Sequence, residues 1–185
     1  MLFLFIGSYC YAGEKKYTVD SPDVKIQLAI IQTDAGELTY QLSVKHKQVI
    51  DASALGFKTE DGLTFPFRGW KMGKVTRNKV NSVWKPLWGK RAVVPDKYNE
   101  MKLSFVNEAK SSDALEVVAR AYNEGVAFRY VSPQDAGSAL ELTTFNFAGD
   151  YTAWFYNGER HNIGPERLTE RSEEHTSELQ SRQVI

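Results

Sequence analysis

Between Leu38 and Val44 the chain alternates strictly: Leu38, Tyr40, Leu42 and Val44 are apolar, and Thr39, Gln41 and Ser43 are polar. Side chains on an extended backbone point to opposite faces in turn, so this period of two describes a strand with one wet and one buried face. A helix would scatter the same residues around its axis. The preceding run repeats the pattern, with Ile26, Leu28 and Ile30 on one face, and Asp34-Ala35-Gly36 supplies a turn between the two. The pair predicts a hairpin. A third strand is expected through Gln48-Val49-Ile50, after a tip at Lys45-His46-Lys47.

The alternation returns in Met101-Lys102-Leu103-Ser104-Phe105, and two further runs, Leu115 to Tyr122 and Val126 to Tyr130, flank the turn Asn123-Glu124-Gly125. Leu140-Glu141-Leu142 and Phe145-Asn146-Phe147 alternate on opposite phases, which predicts a bulge near Thr143-Thr144. Tyr151 to Tyr156 reads as one more strand. Asp61 to Phe67 reads as a turn and an edge strand, because Pro66 has no N–H for a ladder. Trp84 to Gly89 and Val94 to Glu100 read as aromatic loop or edge material, and Lys71 to Lys79 as a solvated hairpin. No stretch sustains a helical period. Short strands separated by Gly, Asn and Asp turns predict an all-β fold of antiparallel sheet packed on sheet.

The ends carry separate signals. Residues 1–12 hold no charge, and Leu2 to Ile6 is apolar. That run is far short of the roughly 20 residues a membrane span needs, and with the small residues of Cys10-Tyr11-Ala12 it fits a secretory signal peptide. The alternative is a buried first strand. Export implies a periplasmic or secreted protein, and removal of the lone Cys10 would leave a mature chain without disulfide or cysteine chemistry. From about Arg171 the string Arg-Ser-Glu-Glu-His-Thr-Ser-Glu-Leu-Gln-Ser matches a translated sequencing adapter. Residues 172–185 are therefore expected to be a non-native tail, a polar helix from Ser172 being the alternative. Residues 13–171 would form one partial domain.

Bases and acids balance over the whole chain. Nothing in that balance points to nucleic acid or an anionic membrane. Motifs for chemistry are missing: there is no Gly-x-Ser-x-Gly elbow, no His-Glu-x-x-His pair and no phosphate-cradling glycine loop. His46 and His161 have no second ligand nearby in sequence, and both read as solvated. Glu100, Glu124, Asp150 and Glu159 could serve glycoside hydrolysis as a carboxylate pair, yet the sequence pairs none of them. Trp84 and Trp88, four apart on an extended chain, would point the same way. Such a pair either stacks on sugar rings or packs under a loop or a neighbouring domain.

Three groups of phrases together resemble the N-terminal domain of glycoside hydrolase family 97. One is Ser21-Pro22-Asp23, then Leu38-Thr39-Tyr40 and Ser53-Ala54-Leu55-Gly56. Another is Trp84-Lys85-Pro86-Leu87-Trp88-Gly89 followed by Val94-Pro95-Asp96-Lys97-Tyr98-Asn99-Glu100, and the last is Tyr122 to Tyr130. The resemblance implies an incomplete antiparallel β-super-sandwich similar to galactose mutarotase, belonging to an enzyme with a (β/α)₈ catalytic barrel and a small C-terminal β domain. It implies action on α-glucosides or α-galactosides, inverting or retaining, with calcium in the active site. The barrel supplies the catalytic carboxylates, and the one calcium ligand lent by the sandwich is expected beyond Arg171. No catalytic residue and no metal ligand is therefore assigned, and no cofactor is expected on this chain. Trp84, Trp88, Asn99 and Glu100 are the candidate carbohydrate contacts. The rival readings are a stand-alone carbohydrate-binding module built on Trp84 and Trp88, a mutarotase-like epimerase, and a purely structural exported sandwich.

Overall fold

The computed structural model describes residues 14–60, 62–66, 69–108, 114–132, 138–156 and 162–170. Residues 1–12, Glu159, His161 and residues 172–185 lie outside the described residues. Four strands form the first sheet: β1 (Lys15–Asp20), β2 (Ile26–Gln32), β3 (Leu38–Val44) and β4 (Lys47–Leu55). Each pairs antiparallel with the next in the order β1-β2-β3-β4. The β2–β3 hairpin turns at Gly36, whose φ of 85° suits a residue without Cβ. The expected third strand is present and runs on to Leu55.

After the short strands β5 (Phe57–Thr59) and β6 (Thr64–Phe65), a second meander follows. It contains β7 (Trp70–Trp84), β8 (Val94–Asn107), β9 (Ala114–Tyr122) and β10 (Val126–Val131), ordered β10-β9-β8-β7. The short strand β11 (Ala139–Glu141) pairs with β5, and β12 (Thr152–Tyr156) pairs with β13 (Asn162–Arg167).

The two meanders face each other, and the alternation decides what lies between them. Val19, Leu28, Ile30, Leu38 and Tyr40 from the first sheet share one buried cluster with Met101, Leu103, Phe105, Val117 and Ala119 from the second. The result is an antiparallel β-sandwich, as the alternation predicts. Phe65 plugs one end, with its ring 5.2 Å from Trp70 and 5.3 Å from Phe105, both edge to face. Such pairs add about 1 kcal/mol each beyond burial alone.

Two expectations need correction. Val94 to Glu100 is not loop, because β8 is a 14-residue strand that starts at Val94; residues 94–97 are edge, and Tyr98 to Glu100 are central. Its first residues read as loop because they pair with β7 only, and β9 joins from Tyr98 onward. Pro95 lies in that two-stranded part, opposite Val83, where a missing N–H does not break a central ladder. Likewise Lys71 to Lys79 is no hairpin but part of the 15-residue strand β7. Trp70, Met72 and Val75 face the core, but the register shift between Met72 and Lys74 breaks their period, and beyond Val75 the strand is largely exposed.

The phase change near Thr143-Thr144 takes a looser form than a bulged strand. Beyond β11 the backbone stays zipped to β4 and its neighbour Gly56, with Leu142 N–H donating to the Gly56 carbonyl (2.8 Å) and Thr144 N–H to that of Ala54 (3.0 Å). Ala148 N–H donates to the Val49 carbonyl (3.0 Å), and Tyr40 Oη reaches in from the core to the Thr144 carbonyl (2.8 Å). This segment covers the edge that β4 would otherwise expose.

Candidate functional site

The length of β7 and β8 creates the most conspicuous surface feature. Beyond Tyr98 only these two strands continue, pairing Asn81 with Lys97, Ser82 with Asp96, Val83 with Pro95 and Trp84 with Val94. At about 3.3 Å per residue the ribbon projects roughly 13 Å past the sheet. Its tip is apolar and wet: Trp84 is 54% exposed, Trp88 88% and Leu87 101%. Trp84 and Trp88 line one open concavity of about 320 Å³ together with Pro86 and Val94. Lys90 and Arg91 bring cationic N–H donors to the same rim. The structure thus brings the two predicted tryptophans together.

Asn99 and Glu100 do not join them. They are neighbours on β8 and point to opposite faces of its sheet. Asn99 Nδ2 donates to the Asp20 carbonyl at 2.6 Å, which ties β8 to the end of β1. Glu100 lies with only 7% of its side chain exposed, and accepts from Arg120 Nε at 2.8 Å. Lys102 Nζ stands 3.8 Å from the same carboxylate. Arg120 in turn sits over the Tyr98 ring, 4.3 Å from its centroid, and Tyr98 packs against Tyr122 at 5.0 Å. Glu100 is thereby held by cations on its own sheet.

Sequence reading missed the cluster that closes this end of the sandwich. Ser21 Oγ donates to Asp23 Oδ1 (2.7 Å) and accepts from Ile26 N–H (3.0 Å). Lys25 meets the other carboxylate oxygen at 2.9 Å. The Ser21 hydrogen bond, with help from Lys25, holds the Asp23 carboxyl at about 2, below its ordinary value. Asp23 N–H donates to Asn123 Oδ1 (3.1 Å), which joins the β1–β2 turn to the β9–β10 turn. The Ser-x-Asp spacing was the available signal, since such residues bond to nearby backbone in turns. Nothing in the sequence named Asn123 as its partner.

Among the described residues no group of three or more His, Cys, Asp or Glu side chains could hold a metal ion. His46 stands exposed at the β3–β4 tip with φ of 64°. Among the described residues no helix is long and apolar enough to cross a membrane.

Comparison with known proteins identifies this arrangement. The profile of the glycosyl-hydrolase 97 N-terminal family matches residues 19–184. The chain belongs to glycoside hydrolase family 97. A curated relative, a probable retaining alpha-galactosidase of Streptomyces bingchenggensis, is 30% identical over 166 residues, covering 86% of this chain. A family 97 enzyme from Pseudoalteromonas sp. strain K8, solved with panose and with acarbose, superposes with a TM-score of 0.66 at 33% identity over 76% of the chain. A beta-arabinopyranosidase structure follows with a TM-score of 0.62 at 26% identity over 75% of the chain. The chain is much shorter than these proteins. It spans 26% of the curated galactosidase and 22% of each solved family 97 chain. Within family 97, the sandwich described above is the N-terminal domain.

Proposed function

We propose that this family 97 sandwich serves an exported α-glycosidase, docking against a catalytic barrel and helping to shape its carbohydrate site. The observation that carries the reading is the family match over residues 19–184, set beside relatives of which this chain is about a quarter. Those relatives include an alpha-galactosidase and an enzyme solved with panose and acarbose, so α-linked glucosides and galactosides are the substrate class. Export to the periplasm or beyond rests on the apolar, uncharged residues 1–12. Calcium belongs, in this reading, to the catalytic part.

The sandwich contributes shape and contacts, and no reaction. Its one buried acid among the described residues, Glu100, is committed to Arg120. General acid–base work needs a carboxyl group free to exchange a proton with substrate. A barrel, by contrast, gathers such groups at the C-terminal ends of its strands. The test is hydrolysis of aryl α-glucosides and α-galactosides. The 185-residue chain should release no chromophore, and a polypeptide extended to the length of its relatives should release it. Turnover by the 185-residue chain would overturn the reading.

A further inference from the structure

The β7–β8 ribbon raises a question that the family assignment leaves open, namely what an apolar, cationic tip is for. Resting on the carbohydrate reading above, we propose that the concavity at this tip binds a short neutral α-linked oligosaccharide. Trp84 and Trp88 supply the walls, and Lys90 and Arg91 supply donors to its hydroxyls.

Four observations converge. The two indoles line one concavity rather than lying apart. Its volume, about 320 Å³, falls at the lower end of the range for small-molecule pockets, which starts near 300 Å³. Sugar rings present apolar C–H faces and polar hydroxyl rims, and an indole face beside fixed N–H donors complements both. Finally, among the described residues no Asp or Glu lines the concavity, so the lining offers sugar contacts and no carboxylate for cleavage. Trp84 is anchored from below: it ends the β7 ladder, and Val94 pairs opposite it at the start of β8. That anchoring keeps one wall in place and limits the entropy lost on binding there.

The experiment titrates the 185-residue chain with panose, reading saturation-transfer NMR and tryptophan emission. Saturable binding in the millimolar range is expected, with the sugar ring protons receiving magnetisation. The double variant Trp84→Ala/Trp88→Ala should weaken binding at least about tenfold, equivalent to the roughly 1.4 kcal/mol that one stacked ring supplies. Both positions are solvent-exposed, so far-UV circular dichroism should not change. Arg91→Met, which keeps both rings, should weaken binding by a smaller factor. Trp154→Phe removes another exposed indole outside this concavity and should leave binding unaltered. No binding by the unaltered chain would overturn the proposal and make the tip a protein-packing surface. Equal binding by the double variant would overturn it too. Hydrolysis by the longer polypeptide, alongside a sugar-blind 185-residue chain, would sink this inference while leaving the proposed function standing.

Discussion

Glu100, one of the candidate sugar contacts, serves as a strut within its sheet. Its carboxylate is almost wholly enclosed and bonded to Arg120. Removing one partner of a buried pair leaves the other charge uncompensated, at about 3 kcal/mol where one partner is partly exposed, as Arg120 is here. Glu100→Gln should therefore lower the urea midpoint markedly. A midpoint shift no larger than that of an exposed substitution such as Glu124→Gln would show the pair to be unimportant. Asp23 supports a pH prediction. Its carboxyl sits at about 2 in the folded chain, below the ordinary value of 3.8. A depressed carboxylate stabilises the fold fully above its unfolded pKa and loses that contribution as pH falls toward the folded one. Stability should decline between about pH 4 and pH 2, and Asp23→Asn should flatten that segment of the curve. Tyr40 acts at the other extreme: burial pushes its hydroxyl up to about 12. The raised value means stability is intact below the ordinary pKa of 10 and is lost as pH climbs toward 12. Tyr40→Phe should remove that alkaline loss, while giving up the bond to the Thr144 carbonyl.

Among the elements, the junction between β4 and β5 tolerates little added volume. A Cβ on Gly56 would stand 2.5 Å from the Phe65 carbonyl oxygen and 3.2 Å from the Pro66 ring. Backbone cannot yield there without separating β5 from β6, which pair Phe57 with Phe65. Gly56→Ala should cost about 2 kcal/mol, read as a lower thermal midpoint, whereas Gly125→Ala, where a Cβ meets open space, should cost far less. Equal midpoints for the two variants would contradict this close approach. The same junction explains why Ser53-Ala54-Leu55-Gly56 stands out as a phrase in the sequence. Ser53 Oγ accepts from Asn146 N–H, the Ala54 carbonyl accepts from Thr144, Leu55 is core, and Gly56 admits Phe65.

For the molecule as a whole, apolar surface is distributed unevenly. The described segment after β10 exposes Leu140, Leu142, Phe145, Phe147 and Trp154. Exposed apolar groups concentrated in one region favour association. The 185-residue chain should sediment with a mass that rises with concentration, and Phe147→Ser combined with Trp154→Ser should reduce that rise. A concentration-independent monomer would show that these side chains attract no partner.

Much of the scaffold could be read from residues alone, because a half-buried strand must alternate and a turn must supply Gly, Asn or Asp. The β2–β3 hairpin, the β9–β10 hairpin and the sandwich class follow from that local rule. What lacked a local signature stayed hidden: a register shift between Met72 and Lys74 breaks the period of β7, and beyond Val75 that strand and the start of β8 are largely wet, so periodicity does not mark them as strands. Only their pairing in three dimensions makes a ribbon and gathers Trp84 and Trp88 at its end. Asn99 and Glu100 follow from the same point: once Val94–Asn107 is a strand, the pleat sends these two neighbours to opposite faces. Spacing along a chain fixes which face a side chain takes within one strand. Contacts between distant strands are decided by packing, and that is where Asn123 meets Asp23 and Arg120 meets Glu100.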